Sequence, residues 1–286
     1  MGFILALISA LSASAKDILS KALSSKLHPD ISTFASFLFA LPFYAVLITL
    51  AALSGVESFS FSTSFMLLVL ARSVTDVFAE GFKMKAFATG DISLVSSFLS
   101  LSPLILAMLS PFVTGDRVTQ SDILALACIV VGSVLLIKRD SATGKVLQIK
   151  SIVYALLAAV AFALNSCFDR LAVVNSGALI SGFAMTLLAA LFCIPLALRH
   201  RRSIDTLVEH RRGFIARGAW ETIFMVSKLS AMSILEAHVV LGVSRISLIL
   251  SVIAGWIWFG ERNILRRGFA ALFIYLGLVI LFVSRY

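Results

Sequence analysis

Apolar residues run along this chain in windows of about 20, the length that crosses the hydrocarbon of a bilayer as a helix, and short polar connections separate them. The windows lie at residues 2–24, 31–53, 64–86, 91–112 and 120–137, and again at 151–171, 178–198, 214–235, 238–259 and 265–284. They predict an all-α integral membrane protein of ten transmembrane helices. The polar positions inside the windows recur: residues 71–137 repeat as 216–282 without a gap, at an offset of 145. Arg72 falls on Arg217, Asp76 on Glu221, Lys83 on Lys228, Asp91 on Glu236, Gly115-Asp116-Arg117 on Gly260-Glu261-Arg262, and Gly132 on Gly277. Asp17 with Asp169 and Pro42 with Pro195 extend the match at offsets near 152. The pattern predicts two five-helix repeats, residues 1–140 and 150–286. Five is odd, so the second repeat is expected to enter the membrane inverted.

Composition makes lipid the solvent for most of the chain. The hydrophobic share is 60%, the charged share 14% and the mean hydropathy +1.03, far outside the soluble range. Apart from the basic loop between residues 199 and 212, no connection is long enough for a soluble domain. The net charge of +9 does not point to nucleic acid, because roughly sixteen of the 24 Lys and Arg residues sit in odd-numbered connections, Arg199, Arg211 and Arg212 among them. By the positive-inside rule those connections are cytoplasmic and both termini face outward. The expected location is a plasma membrane, the bacterial or archaeal inner membrane, with multiple passes. The expected partners are lipid and a small-molecule substrate, with assembly as a monomer or homodimer. Cys128, Cys167 and Cys193 fall within spans without metal-ligand spacing and read as packing residues; no cofactor is expected. Ala13-Ser14-Ala15 resembles a signal-peptidase site. Residues 1–10 carry no Lys or Arg, however, and cleavage would remove one of ten helices, so retention is expected.

A charged group near the bilayer centre costs at least about 2.5 to 3.5 kcal/mol on insertion scales, so charges inside the windows must face the interior. The third window carries Arg72, Asp76, Glu80 and Lys83 on one helical face. The eighth repeats the pattern as Arg217, Glu221 and Lys228, with Met225 in place of the second acid. Arg72 with Asp76 and Arg217 with Glu221 are spaced as i,i+4 ion pairs. Lys83, Lys85 and Lys228 lie nearer the helix ends and are expected to snorkel to headgroups. The fourth window presents Ser93, Ser97 and Ser100 on one stripe, where the ninth presents His238, Gly242 and Arg245. A symmetric scaffold does not need that difference, which makes Arg245 the sharpest candidate for reading an anionic or carboxylate-bearing substrate. The competing reading is that Arg245 neutralises Asp17, Asp169 or Glu80 across the bundle. His238 is a candidate for proton coupling. Asp17, Asn165 and Asp169 are candidates for a polar path, with Lys16 beside Asp17 and Arg170 beside Asp169 as local partners. Ser102-Pro103 and Ser110-Pro111 predict kinks in the fourth helix. Trp220, Trp256 and Trp258 are expected near helix ends as interface anchors.

Two five-helix units, each with a Gly-acid-Arg turn before a glycine-containing last helix, resemble the drug/metabolite transporter superfamily, specifically its EamA type. Here those turns are Gly115-Asp116-Arg117 and Gly260-Glu261-Arg262, followed by Gly132 and Gly277. The resemblance covers nearly the full chain. It implies a central cavity between the units, lined by the first, third and fourth helices of each, and substrates ranging over amino acids, other metabolites and drugs. It also implies both termini in the cytoplasm, opposite to the charge count.

Three classes of function compete. The expected one is a secondary transporter that moves a small polar metabolite by alternating access, driven by a proton or by the substrate gradient. No Gly-x4-Gly-Lys-Ser/Thr phosphate loop is present in the sequence. The second is a membrane-embedded enzyme or flippase acting on a lipid-linked substrate. The sequence contains neither His-Glu-x-x-His nor Gly-x-Ser-x-Gly, and its four histidines, His28, His200, His210 and His238, fall mostly in loops. The third is a non-transporting subunit, which has little reason to hold Arg72, Asp76, Arg217 and Glu221 inside a bilayer.

Overall fold

The computed structural model describes residues 1–24, 26–54, 62–90, 95, 98–135, 145–200 and 204–247, with single positions and short runs beyond; within them every apolar window forms α-helix and no strand occurs. The helices are α1 (Gly2–Ser24), α2 (Pro29–Leu38), α3 (Leu41–Ser54), α4 (Thr63–Thr89), α5 (Ser102–Val113) and α6 (Gln120–Leu135), then α7 (Lys145–Ser176), α8 (Ala178–Arg199), α9 (Ile204–Glu209), α10 (Arg211–Met232) and α11 (Ala237–Ser244). Among the described residues four stretches, Gly2–Ser24, Pro29–Leu53, Ile149–Ser176 and Ala178–Arg199, are long and apolar enough to cross a membrane on their own. The central helices α4 and α10 are as long but carry the intramembrane charges, so their polar faces need the others around them. Large apolar side chains such as Leu50, Leu67, Phe78, Val153 and Leu198 point outward, as lipid-facing positions should. The protein is a multi-pass helical membrane protein. Most of the tenth window, the second Gly-acid-Arg turn, Ser93, Ser97, Trp256 and Trp258 lie outside the described residues.

The contacts fix the relative direction of the four central helices. Lys16 meets Glu80 and Lys21 reaches the carbonyl of Phe87, so α1 and α4 run parallel. Lys228 meets Ser166 and Asp169, and further along both helices Arg170 reaches the Met232 carbonyl, so α7 and α10 are parallel too. Between the pairs the order reverses. Along α1 and α10 the partners are Lys16 with Glu221 and Ser20 with Arg217, and along α4 and α7 they are Arg72 with Asp169 and Ala86 with Ser151. The first and third helices of one half are thus antiparallel to their counterparts in the other.

Three predicted spans are interrupted, each near a proline or at its repeat-equivalent position. The second breaks into α2 and α3 at Phe39 and Ala40, just before Pro42, whose ring disfavours helix in the preceding turn. The Ala40 N–H turns back to the Phe37 carbonyl, and the freed Ser36 carbonyl accepts from Arg217 Nη1 at 3.3 Å. Gly218 on α10 lies directly over this break; a Cβ there would run into the Phe39 carbonyl and come within 2.9 Å of Ala40 N. The fourth span turns at Ser100 and Leu101 before Pro103, and the ninth turns at Arg245. Ser100 and Arg245 are equivalent positions at the 145 offset, so both halves break the same helix at the same place. On the remaining side, a Cβ at Gly277 would meet Ile129 Cγ1 at 2.6 Å, so this glycine allows the tenth helix to lie against α6.

Candidate functional site

Between the two halves lies a cavity of about 720 Å³, counting the part open to the outside. Side chains from six spans line it: Lys16 and Asp17 on α1, Arg72, Asp76, Glu80 and Lys83 on α4, Ser102 on α5, Ser166 on α7, Glu221, Phe224, Met225 and Lys228 on α10, and Ser244 and Arg245 on and beside α11. These are the first, third and fourth helices of each half, the set that the family resemblance implies. A second layer of buried polar groups, Asn165, Asp169 and Arg217, stands behind them.

The network repeats with the chain. Lys83 pairs with Asp17 at 3.3 Å and Lys228 with Asp169 at 2.7 Å. Arg72 pairs with Asp76, and Arg217 with Glu221 at 3.6 Å. Each Arg also reaches into the other half: Arg217 Nη2 lies 3.2 Å from Glu80, and Arg72 Nη2 lies 3.7 Å from the sulfur of Met225, the residue equivalent to Glu80. The second half thus lacks an acid where the first has one. It also lacks a base, since the position equivalent to Lys16 at the 152 offset is Phe168. Arg72 takes Asp169 as its cross-half carboxylate instead, at 2.8 Å. Lys16 reaches Glu221 at 3.0 Å and Glu80 at 3.8 Å, and its ammonium sits 3.9 Å from the centre of the Phe224 ring. The loss of a Lys and a Glu together keeps the second half balanced without either.

Arg245 is outside this balance. It is held by carbonyl and hydroxyl groups: Nε on Leu241 O at 3.4 Å, Nη1 on Leu99 O at 3.2 Å and Nη2 on Ser102 Oγ at 3.2 Å. The reason is local, because Pro103 has no N–H and leaves the Leu99 carbonyl without a donor four residues on. Among the described residues no carboxylate lies within 4.0 Å of Arg245. A guanidinium has five N–H donors, and three are engaged. Among the described residues, Arg245 thus keeps two donors and has no carboxylate in contact at the cavity wall, at the position where the other half has Ser100.

The predicted residues sort as follows. Arg245, Arg72, Asp76, Glu80, Glu221 and Asp17 line the cavity together. Arg217, Asn165 and Asp169 form the second layer; Asn165 donates to Asp76 at 2.8 Å and pairs with Thr75. Ser100 is buried at the turn of the fourth span, away from the lining. His238 is not in the cavity: it lies fully buried, its Nε2 3.4 Å from Asp122 at the start of α6. Lys83 and Lys228 do not snorkel. They are 2% and 6% exposed, because each meets an acid on the neighbouring helix of its own half, Asp17 at 3.3 Å and Asp169 at 2.7 Å. The sequence-adjacent pairs do not form either: Asp17 goes to Lys83, and Lys16 to Glu221, since adjacent residues on a helix diverge. Arg245 does not neutralise Asp17, Asp169 or Glu80 by direct contact. Trp220 lies mid-helix on α10, 40% exposed, rather than at an end. Lys16, Ser102, Ser166, Phe224 and Ser244 were not predicted as lining; Ser166 lies three residues before Asp169 on the same helical face, which is the signal that could have found it.

The two ends of the cavity differ. On the side of the even connections, Gly115 takes a positive φ of 71° after α5, and Asp116 then accepts from Ala237 N at 3.3 Å. Asp116 thereby caps α11 of the other half. Arg170 lies 3.9 Å from Asp116 and also donates to the Met232 carbonyl. The Gly-acid-Arg turn is thus a cross-half cap on this side. On the other side, the His28 and His200 rings stack at 3.7 Å beside Asp30. Partial burial and the neighbouring His200 hold the His28 imidazole below its ordinary value.

A charged cavity at the centre of a multi-pass helical bundle defines the class as an integral membrane protein with a polar interior between its halves. Within that class the chain belongs to the EamA-like transporter family, whose profile matches residues 1–138 and 149–283; the family is part of the drug/metabolite transporter superfamily. Members of this family are transporters. No curated protein sequence matches the chain. Among solved structures, one crystal structure of a protein superposes with a TM-score of 0.74 over 98% of this chain and 95% of its own, at 15% identity. That likeness concerns the fold alone.

Proposed function

We propose that this protein is a secondary transporter that moves a small polar organic metabolite, an amino acid or other organic anion, across the plasma membrane by alternating access. Efflux is the expected direction. In this reading its ten helices form two inverted five-helix repeats, residues 1–140 and 150–286, that rock about the central cavity. The directions of α1, α4, α7 and α10 support the inversion, and the matched breaks in the fourth and ninth spans support a binding site between them. The observation that carries the substrate class is Arg245, a cavity cation held by carbonyls and a hydroxyl while the other cavity cations have carboxylate partners. An anionic group on the substrate supplies the missing partner. The Asp17, Asp76, Glu80 and Glu221 carboxylates provide sites through which a proton could be exchanged for it. The charge count places both termini outside.

The test is a thermal-shift screen of purified protein against amino acids, organic acids, nucleotide sugars, sugar phosphates and cationic drugs, since a ligand of the native state raises its stability. Stabilisation by anions that disappears in Arg245→Ala supports the reading. Stabilisation only by cations overturns the anionic assignment and moves the site to the acidic residues of α1 and α4.

A further inference from the structure

The cavity does not use one cluster of ligating side chains. His28 precedes α2 in the first half, Asp30 lies in the first turn of α2, and His200 follows α8 in the second half. Asp30 Oδ2 sits 3.7 Å from His28 Nδ1 and 3.5 Å from His200 Nε2, and the three ligand atoms all lie within 4.8 Å of one another. Metal–ligand bonds of about 2.0 to 2.2 Å in a tetrahedron put neighbouring ligand atoms roughly 3.4 Å apart. The two distances to Asp30 already match that spacing to within a few tenths of an ångström.

We propose that His28, Asp30 and His200 form a binding site for a divalent transition-metal ion of the Zn²⁺ or Ni²⁺ kind. Two imidazoles and one carboxylate are the ligand set that such ions favour, whereas Mg²⁺ and Ca²⁺ seek oxygen alone. Water fills the remaining coordination positions, since His28 and His200 are exposed by 41% and 37% of their side chains. Two features make the cluster more than a chance meeting of surface groups. Its ligands come from both halves of the chain, so they converge through the tertiary fold. His28 Nδ1 and His200 Nε2 both face Asp30; the ion would displace the 3.3 Å hydrogen bond that Nδ1 accepts from Asp30 N–H and would tilt the stacked rings so that both lone pairs meet it. Occupancy would tie the start of α2 to the end of α8 on the side of the odd-numbered connections, opposite the Asp116 cap.

The test uses the full chain, purified in detergent through a tag without histidines and stripped with EDTA. Zn²⁺ is titrated by calorimetry and by thermal shift, with Mg²⁺ as the comparison. The expected result is saturable one-to-one Zn²⁺ binding with a rise in Tm that EDTA reverses, and no response to Mg²⁺. His28→Gln, His200→Gln and Asp30→Asn should each weaken Zn²⁺ binding at least tenfold while the metal-free Tm stays near that of the parent. Absence of one-to-one binding overturns the proposal. So does binding that survives in His28→Gln/His200→Gln, which would place the ion at His210 or on the cysteines. The outcome is independent of whether the chain transports anything.

Discussion

Glu80→Met turns the first half into a copy of the second at one position, and the structure says what that should cost. Glu80 is 3% exposed and faces Lys83 at 2.7 Å, Arg217 at 3.2 Å and Lys16 at 3.8 Å. Removing it leaves Lys83 with Asp17, and Arg217 and Lys16 sharing Glu221, so one buried cation has no acid of its own. Breaking a buried pair by deleting one partner costs about 3 to 5 kcal/mol. For a chain of this size that corresponds to a fall in Tm of roughly 6 to 20 °C at about 2 to 4 °C per kcal/mol. The second half tolerates methionine here because the position equivalent to Lys16 is Phe168. Lys16→Phe/Glu80→Met should therefore recover at least about 2 kcal/mol relative to Glu80→Met, a coupling of the size that contacting charges show in double-mutant cycles. The assay is unfolding of the four proteins in one detergent, followed by helical circular dichroism. If the double variant is no more stable than Glu80→Met, charge balance between the repeats is not what keeps Lys16 and Glu80 together, and the reasoning fails.

Other outcomes follow from the same geometry. Gly218→Ala forces a methyl group against the Phe39 carbonyl and should cost about 1 to 3 kcal/mol as overpacking; an unchanged Tm would mean that α10 does not cross so close to the break. Asp116→Ala removes the cap of α11 and the partner of Arg170, for a loss near 1 kcal/mol. A cysteine placed at Ser244 should then label faster from the side of the even connections, and unaltered labelling would show that this cap does not close the cavity. Asp169→Asn leaves Arg72 and Lys228 short of a carboxylate between them, and should lower Tm more than Asp17→Asn, because Asp17 serves Lys83 alone while Lys83 keeps Glu80. Equal losses would argue against the pairing seen here.

The sequence made the class and much of the site legible because charges inside a bilayer are expensive enough to be informative. Arg72, Asp76, Arg217 and Glu221 could be found from spacing alone, as i,i+4 couples on one helical face. The cross-half contacts could not: that Arg72 meets Asp169 and Arg217 meets Glu80 depends on antiparallel packing between repeats, which no local spacing encodes. The fate of Lys83 and Lys228 was hidden for a related reason. Snorkelling is the default for a lysine near a helix end, and it loses when an acid on an adjacent helix is within 3.3 Å. The break of the second span before Pro42 follows from backbone sterics. That Arg217 and Thr222 would satisfy carbonyls there becomes visible only once Gly218 brings α10 over it. That His238 faces Asp122 was not legible, because position within a window does not tell which neighbour a side chain faces.

The central claim is that the cavity carries an anion-bearing solute recognised by Arg245. The direct measurement is uptake of labelled amino acids and organic acids into proteoliposomes, comparing the parent protein with Arg245→Ala and Arg245→Lys. The account predicts saturable transport of at least one anionic or zwitterionic solute. Arg245→Ala should lose that transport with little change in Tm, and Arg245→Lys should retain a fraction of it through its charge. Equal transport by the parent and Arg245→Ala, or transport confined to cations, would contradict it.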